Sequence, residues 1–411
     1  MIRRIINFIF DNSVLLIAGA VAALVWDNVD PASYKHAMHL PLLLTSHIGA
    51  QAAAGGRVID LHFLVSDILM ALFFAMAGRE VWDAMLPGGA LNSPRKAATP
   101  ILCAAGGMIM PATLFIIGAA CFGRLEELYK GWAVPTATDI AFSYMIARIV
   151  FGGGHPAVKF LLLLAIVDDA LGLIILAVFY PQGTLALAWL LLSVGAMALC
   201  VVLWMFRIRN FVWYLLGPGV LSWLGFALSG LHPALGLLPI VPMLPNARRQ
   251  RIHPGWNFVS PADSEQFEQQ LKRPVEVILG LFGLFNAGVI LAIPSSQDAT
   301  VAVLVLGGLM VGKPLGIFLT ALVGTKLLRL ELGTGLTYRD LIVAGCVAGI
   351  GFTVALFVAT VAFKAGSVQD AAKLGALLSF LAAPVGVVMG RLMGVKKVAA
   401  AADEAKEVPL A

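Results

Sequence analysis

The sequence predicts an all-α polytopic membrane protein of twelve transmembrane helices. Three observations predict it. Apolar residues (Ala, Val, Ile, Leu, Met, Phe, Trp, Tyr, Cys) make up 60% of the chain and charged residues only 12%. Apolar runs of about 20 residues, the length of a spanning helix, recur from end to end. The connecting loops alternate between rich and poor in Lys and Arg. Soluble domains carry about 25% charged residues, so this chain has too little charge to solvate a globular surface. That excludes a cytosolic enzyme, a disordered scaffold and a secreted disulfide module. The net charge of +5 reads as loop orientation rather than nucleic-acid binding. Cys103, Cys121, Cys200 and Cys346 lack metal or redox spacing and read as free packing thiols.

In chain order the runs are 13–26, 61–78, 97–121, 132–150, 158–179, 184–206, 211–229, 232–244, 274–293, 301–323, 341–363 and 371–392. The first follows Arg3 and Arg4 as a signal peptide would, but Trp26-Asp27-Asn28 makes a poor cleavage region. The eighth is short and broken by Pro233, Pro239, Pro242 and Pro245. With the N-terminus inside, 21 of the 28 Lys and Arg fall on the inner side, 6 on the outer, and Lys313 on neither. This bias predicts that both termini are cytoplasmic. Trp26, Trp82, Trp132, Trp204 and Trp213 fall near predicted helix ends, where interfacial rings belong. Residues 27–60 form an outer loop with a Gly/Ala-rich stretch from Gly49 to Gly56. Residues 245–273 form an inner loop, with Arg248, Arg249 and Arg251 ahead of Asp263, Glu265 and Glu268. Residues 1–393 are read as one membrane domain and 394–411 as a disordered cytoplasmic tail.

An ionisable group at mid-membrane is costly and is a functional candidate by default. Asp67 lies in the second run, Asp139 in the fourth, Asp168 and Asp169 half-way along the fifth, and Lys313 in the tenth. A single Asp–Lys pair could simply be a buried salt bridge that fixes packing. Two adjacent carboxylates say more. They point about 100° apart on a helix, so one can face a lysine while the other faces a cavity. Two so close in low dielectric cannot both ionise freely. Such a pair suits proton exchange or a hard cation bound through oxygen.

Two runs carry interruptions. In the fourth, Pro135 removes a backbone donor, and Thr136, Thr138 and Asp139 follow. In the eleventh, Gly345, Gly349 and Gly351 weaken the helix interior. One such break is often a tolerated kink; paired breaks in two halves of a transporter point to a binding site. Half-helix ends carry partial charges. Asp139 could offset facing N-termini and Lys313 facing C-termini.

These residues resemble those of the NhaA-type bacterial Na+/H+ antiporters. Four blocks carry the resemblance: Gly131 to Phe142, Ala165 to Gly172, Val311 to Ile317 and Gly349 to Thr353. Asp67 to Phe74, Gly106 to Ala112 and Asn286-Ala287-Gly288 support it, in family order over roughly residues 10–393. The resemblance implies inverted-topology repeats, helices 3–5 (about 97–179) and 10–12 (301–392), with interrupted helices 4 and 11 crossing at the midplane. Residues 13–78 and 184–293 would form an interface part. It implies Asp169 as principal cation ligand and Asp168 as its proton-carrying partner, able to pair with Lys313, so that Na+ binds at Asp168 and Asp169. It implies Thr138 as a supporting ligand, Asp139 as the charge that compensates the helix ends, and Pro135, Gly349 and Gly351 as the breaks. Asp67, Glu80 and His232 fall where the family ties residues to its cytoplasmic funnel and pH response; His232 reads equally as a polar residue starting a helix at Pro233.

The sequence also departs from the family's pattern. Where the best-known member has an acid and two histidines before a proline, this chain has Gln269-Gln270-Leu271-Lys272-Arg273-Pro274. Ala84 replaces a second acid of the second helix, with Asp83 adjacent. A shifted or flatter pH activation is expected. The loop 27–60 takes the place of the family's dimer-forming β-hairpin, and its composition decides neither for nor against a hairpin.

The expected activity is therefore antiport of intracellular Na+ or Li+ against external H+, electrogenic, by competition at the carboxylate pair. The expected setting is the bacterial inner membrane, with lipid and a second copy (through loop 27–60) as partners, and neither cofactor, enzymatic activity nor nucleic acid. A Na+-coupled organic solute symporter is the alternative; it would need a larger pocket than the few midplane polar groups suggest. An intramembrane aspartyl protease would need two Asp on separate helices sharing a proton, and its Gly-x-Gly-Asp motif is missing here.

Overall fold

The computed structural model describes residue 10 and residues 13–45, 48–51, 57–208, 210–244, 261–291, 296–333 and 335–399. Arg3, Arg4, most of the Gly/Ala stretch, Arg248, Arg249, Arg251 and the tail from residue 400 lie outside the described residues. So do the side chains of Asp263, Glu265, Glu268 and Gln269.

The helices are α1 (Val14–Val29), α2 (Pro31–Met38), α3 (Leu61–Met85), α4 (Pro94–Cys121), α5 (Leu125–Thr136), α6 (Ile140–Phe151), α7 (Pro156–Phe179) and α8 (Leu187–Met205). They continue as α9 (Phe211–Ser229), α10 (Pro233–Met243), α11 (Pro261–Asn286), α12 (Asp298–Lys326), α13 (Tyr338–Ala348), α14 (Phe352–Ala362) and α15 (Ser367–Leu392). Among the described residues seven helices are long and apolar enough to cross a membrane, or nine if each bent pair, α5–α6 and α13–α14, counts as one span. α1 and α10 are shorter apolar helices. Each of the twelve runs overlaps helix, but the ninth is displaced: α11 ends at Asn286, not 293. There the Asn286 side chain turns back to donate to the Phe282 carbonyl at 3.2 Å. The outward surfaces are apolar and the polar groups lie inside. Ile109 on α4, Leu191 and Val194 on α8 and Leu216 on α9 are exposed. That inverts the soluble pattern and suits a bilayer, where helices satisfy their own backbone.

The chain divides into two units. One holds Ser93–Gly172 and the chain from Ala287 onward, hence α4–α6, most of α7 and α12–α15. Within it α4 and α12 pack backbone to backbone: a Cβ at Gly106 would meet the Gly316 carbonyl, and a Cβ at Gly316 the Gly106 carbonyl. Small residues permit such close approach in lipid. α12 contains a π-helical turn, Gly308–Gly312, directly before Lys313. Such a turn inserts a residue and re-aims the side chains that follow. After α15 the chain folds back, and Val398 exchanges backbone hydrogen bonds with Phe151 (2.9 Å) and Gly154 (3.0 Å).

The other unit holds Val14–Asn92 and Leu173–Asn286. α1 packs on α11 where Gly19 meets Gly280. The outer loop contains α2 and a three-stranded antiparallel sheet, order β1 (Pro41–Thr45), β3 (Arg57–Asp60), β2 (Ala50–Gln51), with Leu43 opposite Ile59 and Thr45 opposite Arg57. The prolines of α10 shorten it to two 3-10 pieces, because each removes a backbone donor.

Candidate functional site

Both bent helices are broken at their middles, and the breaks meet. α5 ends in a 3-10 turn over Tyr129–Thr136 containing Pro135. Ala137 and Asp139 are extended (ψ 151° and 107°), and α6 starts at Ile140, bent by 51°. α13 ends at Ala348 with Gly349 as its C-cap, and α14 starts after Gly351, bent by 52°. The Asp139 amide donates to the Ile350 carbonyl at 2.7 Å, joining one break to the other.

Asp139 serves both helix starts. Its Oδ1 accepts from the Phe142 amide at 3.3 Å, capping α6. Its Oδ2 accepts from the Thr353 amide at 3.2 Å and from the Thr353 hydroxyl, capping α14. A carboxylate here offsets the positive ends of two half-helices at once. On the opposite side lie the carbonyl ends. Lys313 Nζ donates to the Thr136 carbonyl, the last of α5, at 2.6 Å. The Thr138 hydroxyl lies 3.2 Å from the Ala348 carbonyl, the last of α13. The Ser143 hydroxyl donates to the Val347 carbonyl at 3.2 Å.

Asp168 on α7 completes the cluster. Its Oδ2 lies 2.9 Å from Lys313 Nζ, and both side chains are fully buried. The same oxygen accepts from Thr138 Oγ1 at 2.6 Å. Its Oδ1 is buried and meets no hydrogen-bond donor. A buried charge is stable only when paired and hydrogen-bonded. One half of this carboxylate meets that condition, and the other retains acceptor capacity for a proton or a small cation. Asp169 is half-buried, and its charge acts on Lys313 as well. Among the described residues no group of three or more His, Cys, Asp or Glu could hold a metal ion. The oxygens available are two carboxylates, a hydroxyl and helix-end carbonyls.

The chain matches the family described as Na+/H+ antiporter 1 over residues 4–390. It is 49% identical to a protein named Na(+)/H(+) antiporter NhaA of Jannaschia sp. (strain CCS1), over 96% of this chain and 99% of that one. It is 43% identical to a protein of the same name from Geobacter metallireducens, over 96% and 100%, and 42% identical to one from Desulfitobacterium hafniense (strain DSM 10664 / DCB-2), over 96% and 98%. The chain belongs to this antiporter family. It is a multi-pass membrane protein, and the family's named members are transporters rather than enzymes.

In this NhaA relative the residues singled out from sequence fall into two groups. Asp168, Thr138, Lys313, Asp139, Pro135, Gly349 and Gly351 meet at the paired breaks, with Asp169 next in chain to Asp168. Thr138 bonds Asp168 rather than Asp169. Asp67, Glu80 and His232 belong to the other unit. Asp67 sits in a π-helical turn of α3, Leu64–Leu69. Its Oδ1 is 3.6 Å from His232 Nδ1, and its carbonyl accepts from Trp223 Nε1 at 3.0 Å. His232 also caps the Pro233 turn, accepting from the Ala234 amide at 3.3 Å, as a polar residue starting a helix at Pro233 would. Glu80 is half-buried further along α3.

Sequence reasoning missed two polar residues. Ser143 lies four residues after Asp139, on the same helix face, and that spacing was a usable signal. Ser379 is the one polar side chain in the run Leu374 to Met389, a signal of position without any hint of its partner.

Proposed function

We propose that the chain is a secondary antiporter of the bacterial inner membrane that exchanges intracellular Na+ or Li+ for external H+. Asp168 supports this reading best. It is a fully buried carboxylate with one oxygen held by Lys313 and Thr138 and the other without a donor, set where two broken helices meet. The fold we assign is twelve spans with both termini cytoplasmic, inverted repeats, and α5–α6 crossing α13–α14 at the midplane. Asp169 is the principal cation ligand, exposed enough to meet an ion, and Asp168, Thr138 and helix-end carbonyls complete the shell. Lys313 releases Asp168 when the ion arrives and recaptures it when the ion leaves. No cofactor is required.

Na+ and protons compete for the same oxygens, so each weakens the binding of the other by the same factor. Two protons per Na+ make each cycle electrogenic, and each net charge is worth about 2.3 kcal/mol per 100 mV. Asp67, Glu80 and His232 contribute to the pH response, which departs from the family's because the acid and histidines before Pro274 are missing. The exposed strand β1, with Leu42, Leu43 and Leu44 outward, offers an edge for pairing with a second copy.

The test uses purified protein in liposomes with an internal pH dye and an imposed proton gradient. Addition of NaCl or LiCl, but not KCl, collapses the gradient for the wild type, and Asp169→Asn abolishes the response while folding normally. Normal exchange by Asp169→Asn removes the site assignment. No response to any cation from acid to alkaline pH removes antiport itself.

A further inference from the structure

We infer that Ser379 is a positioning residue for cation binding, supplying from α15 a second cap, beside Asp139, for a helix start that has none of its own. This rests on the antiport reading above and deepens it. The N-cap position of α14 is Gly351, which has no side chain to cap the helix. The first N–H groups of a helix have no partner within it. Two at the start of α14 are met from outside: the Thr353 amide by Asp139, and the Gly351 amide by Ser379 Oγ at 3.2 Å. A capping side chain at position 351 itself has no room, since even a Cβ there would press on Leu309 and the Ala137 carbonyl. The cap therefore comes from another helix.

Ser379 is built for the task. It is fully buried, and its own proton goes to the Ala376 carbonyl at 2.6 Å, which leaves a lone pair for Gly351. It opens a 3-10 turn, Ser379–Leu381, within α15. Phe380 beside it packs against Phe142 and Phe352, with ring centroids at 5.0 and 4.5 Å. These two rings stand in the first turns of α6 and α14, so one turn of α15 braces both half-helix starts.

The consequence reaches the ion site through one peptide plane. The Gly351 N–H and the Ile350 carbonyl belong to the same rigid peptide unit. Ser379 holds its N–H, and the Asp139 amide holds its carbonyl at 2.7 Å. Two residues back, the Ala348 carbonyl faces the Thr138 hydroxyl, which also bonds Asp168. Loss of the Ser379 oxygen leaves the Gly351 N–H buried without an acceptor and unpins the plane at one end. The carbonyls upstream then lose their aim while the carboxylates stay in place.

Ser379→Ala in proteoliposomes is expected to raise KM for Na+ roughly 5- to 30-fold, the weight of one buried hydrogen bond, with the maximal rate within about twofold. At fixed, subsaturating Na+ the half-activation pH moves alkaline, because weaker Na+ binding needs fewer competing protons. Ser379→Thr, which restores the hydroxyl, brings KM back towards wild type. Phe380→Leu removes the ring but not the hydroxyl, and lowers the thermal midpoint while raising KM less than Ser379→Ala does. If Ser379→Ala keeps the wild-type KM and pH profile, or if Phe380→Leu shifts KM equally, the positioning role is overturned. Should Ser379→Ala fail to fold, Ser379→Cys carries the same test, because sulfur accepts weakly; an unchanged KM there also overturns it. A wild type that exchanges no Na+ sinks the antiport reading and this inference together, whereas an active wild type with an unaffected Ser379→Ala sinks this inference alone.

Discussion

The two broken helices bend almost equally, 51° for α5–α6 and 52° for α13–α14, yet they are broken by different chemistry. The first uses Pro135 and two extended residues, and carries its own cap in Asp139. The second uses Gly349 and Gly351 and carries no cap of its own; Asp139 and Ser379 cap it from neighbouring elements. The first break is thus held by charge and the second by space. One acid can serve both starts because Thr353 brings its amide and hydroxyl to the same oxygen. The two breaks share one acid, and Lys313 of α12 meets the carbonyl end of α5.

The strongest test of the charged side is Lys313→Ala. It leaves Asp168 buried without its counter-ion and takes a donor from the α5 carbonyl end, and should cost about 3–5 kcal/mol. The thermal midpoint in detergent reads the loss, and adding Asp168→Asn should return part of it. A single variant as stable as wild type would mean that the ion pair does not hold the breaks. Asp139→Ala comes next, at about 2–3 kcal/mol, because it uncaps both α6 and α14. Thr353→Val removes one hydroxyl and should cost about 1 kcal/mol; equal losses in denaturant unfolding would show that α14 alone matters. The smallest contrast separates charge from space. Gly351→Ala should destabilise by about 1–3 kcal/mol through overpacking, while Ala137→Gly, at the matching place in the charged break, should stay within about 1 kcal/mol. Reversed magnitudes in the same melts would reverse the distinction.

Much of this was legible in the chain. Asp168, Asp169 and Lys313 stand out because charge inside a twenty-residue apolar run has few innocent explanations. Pro135 marked the first break and Gly349 the second. What could not be read was register. The π-helical turn before Lys313, Gly308–Gly312, has no local signature beyond two glycines, yet it sets where the ammonium group points. The end of α11 was missed because apolar residues continue past Asn286. The outer sheet depends on pairing between distant strands, which composition does not report. Ser379 was visible only as a lone hydroxyl, since its partner lies 28 residues away on another helix.

The order of synthesis gives the buried ion pair a further consequence. Asp168 lies in the first half of the chain and Lys313 in the second, about 145 residues later. At roughly 5–20 residues per second, the ribosome needs about 7–30 s between them. Through that interval the acid is already in the membrane and its cation does not yet exist. A bare carboxylate is too costly to bury, so α7 reaches its final depth of burial only once α12 has been made. Asp168 enters the membrane early and is locked late.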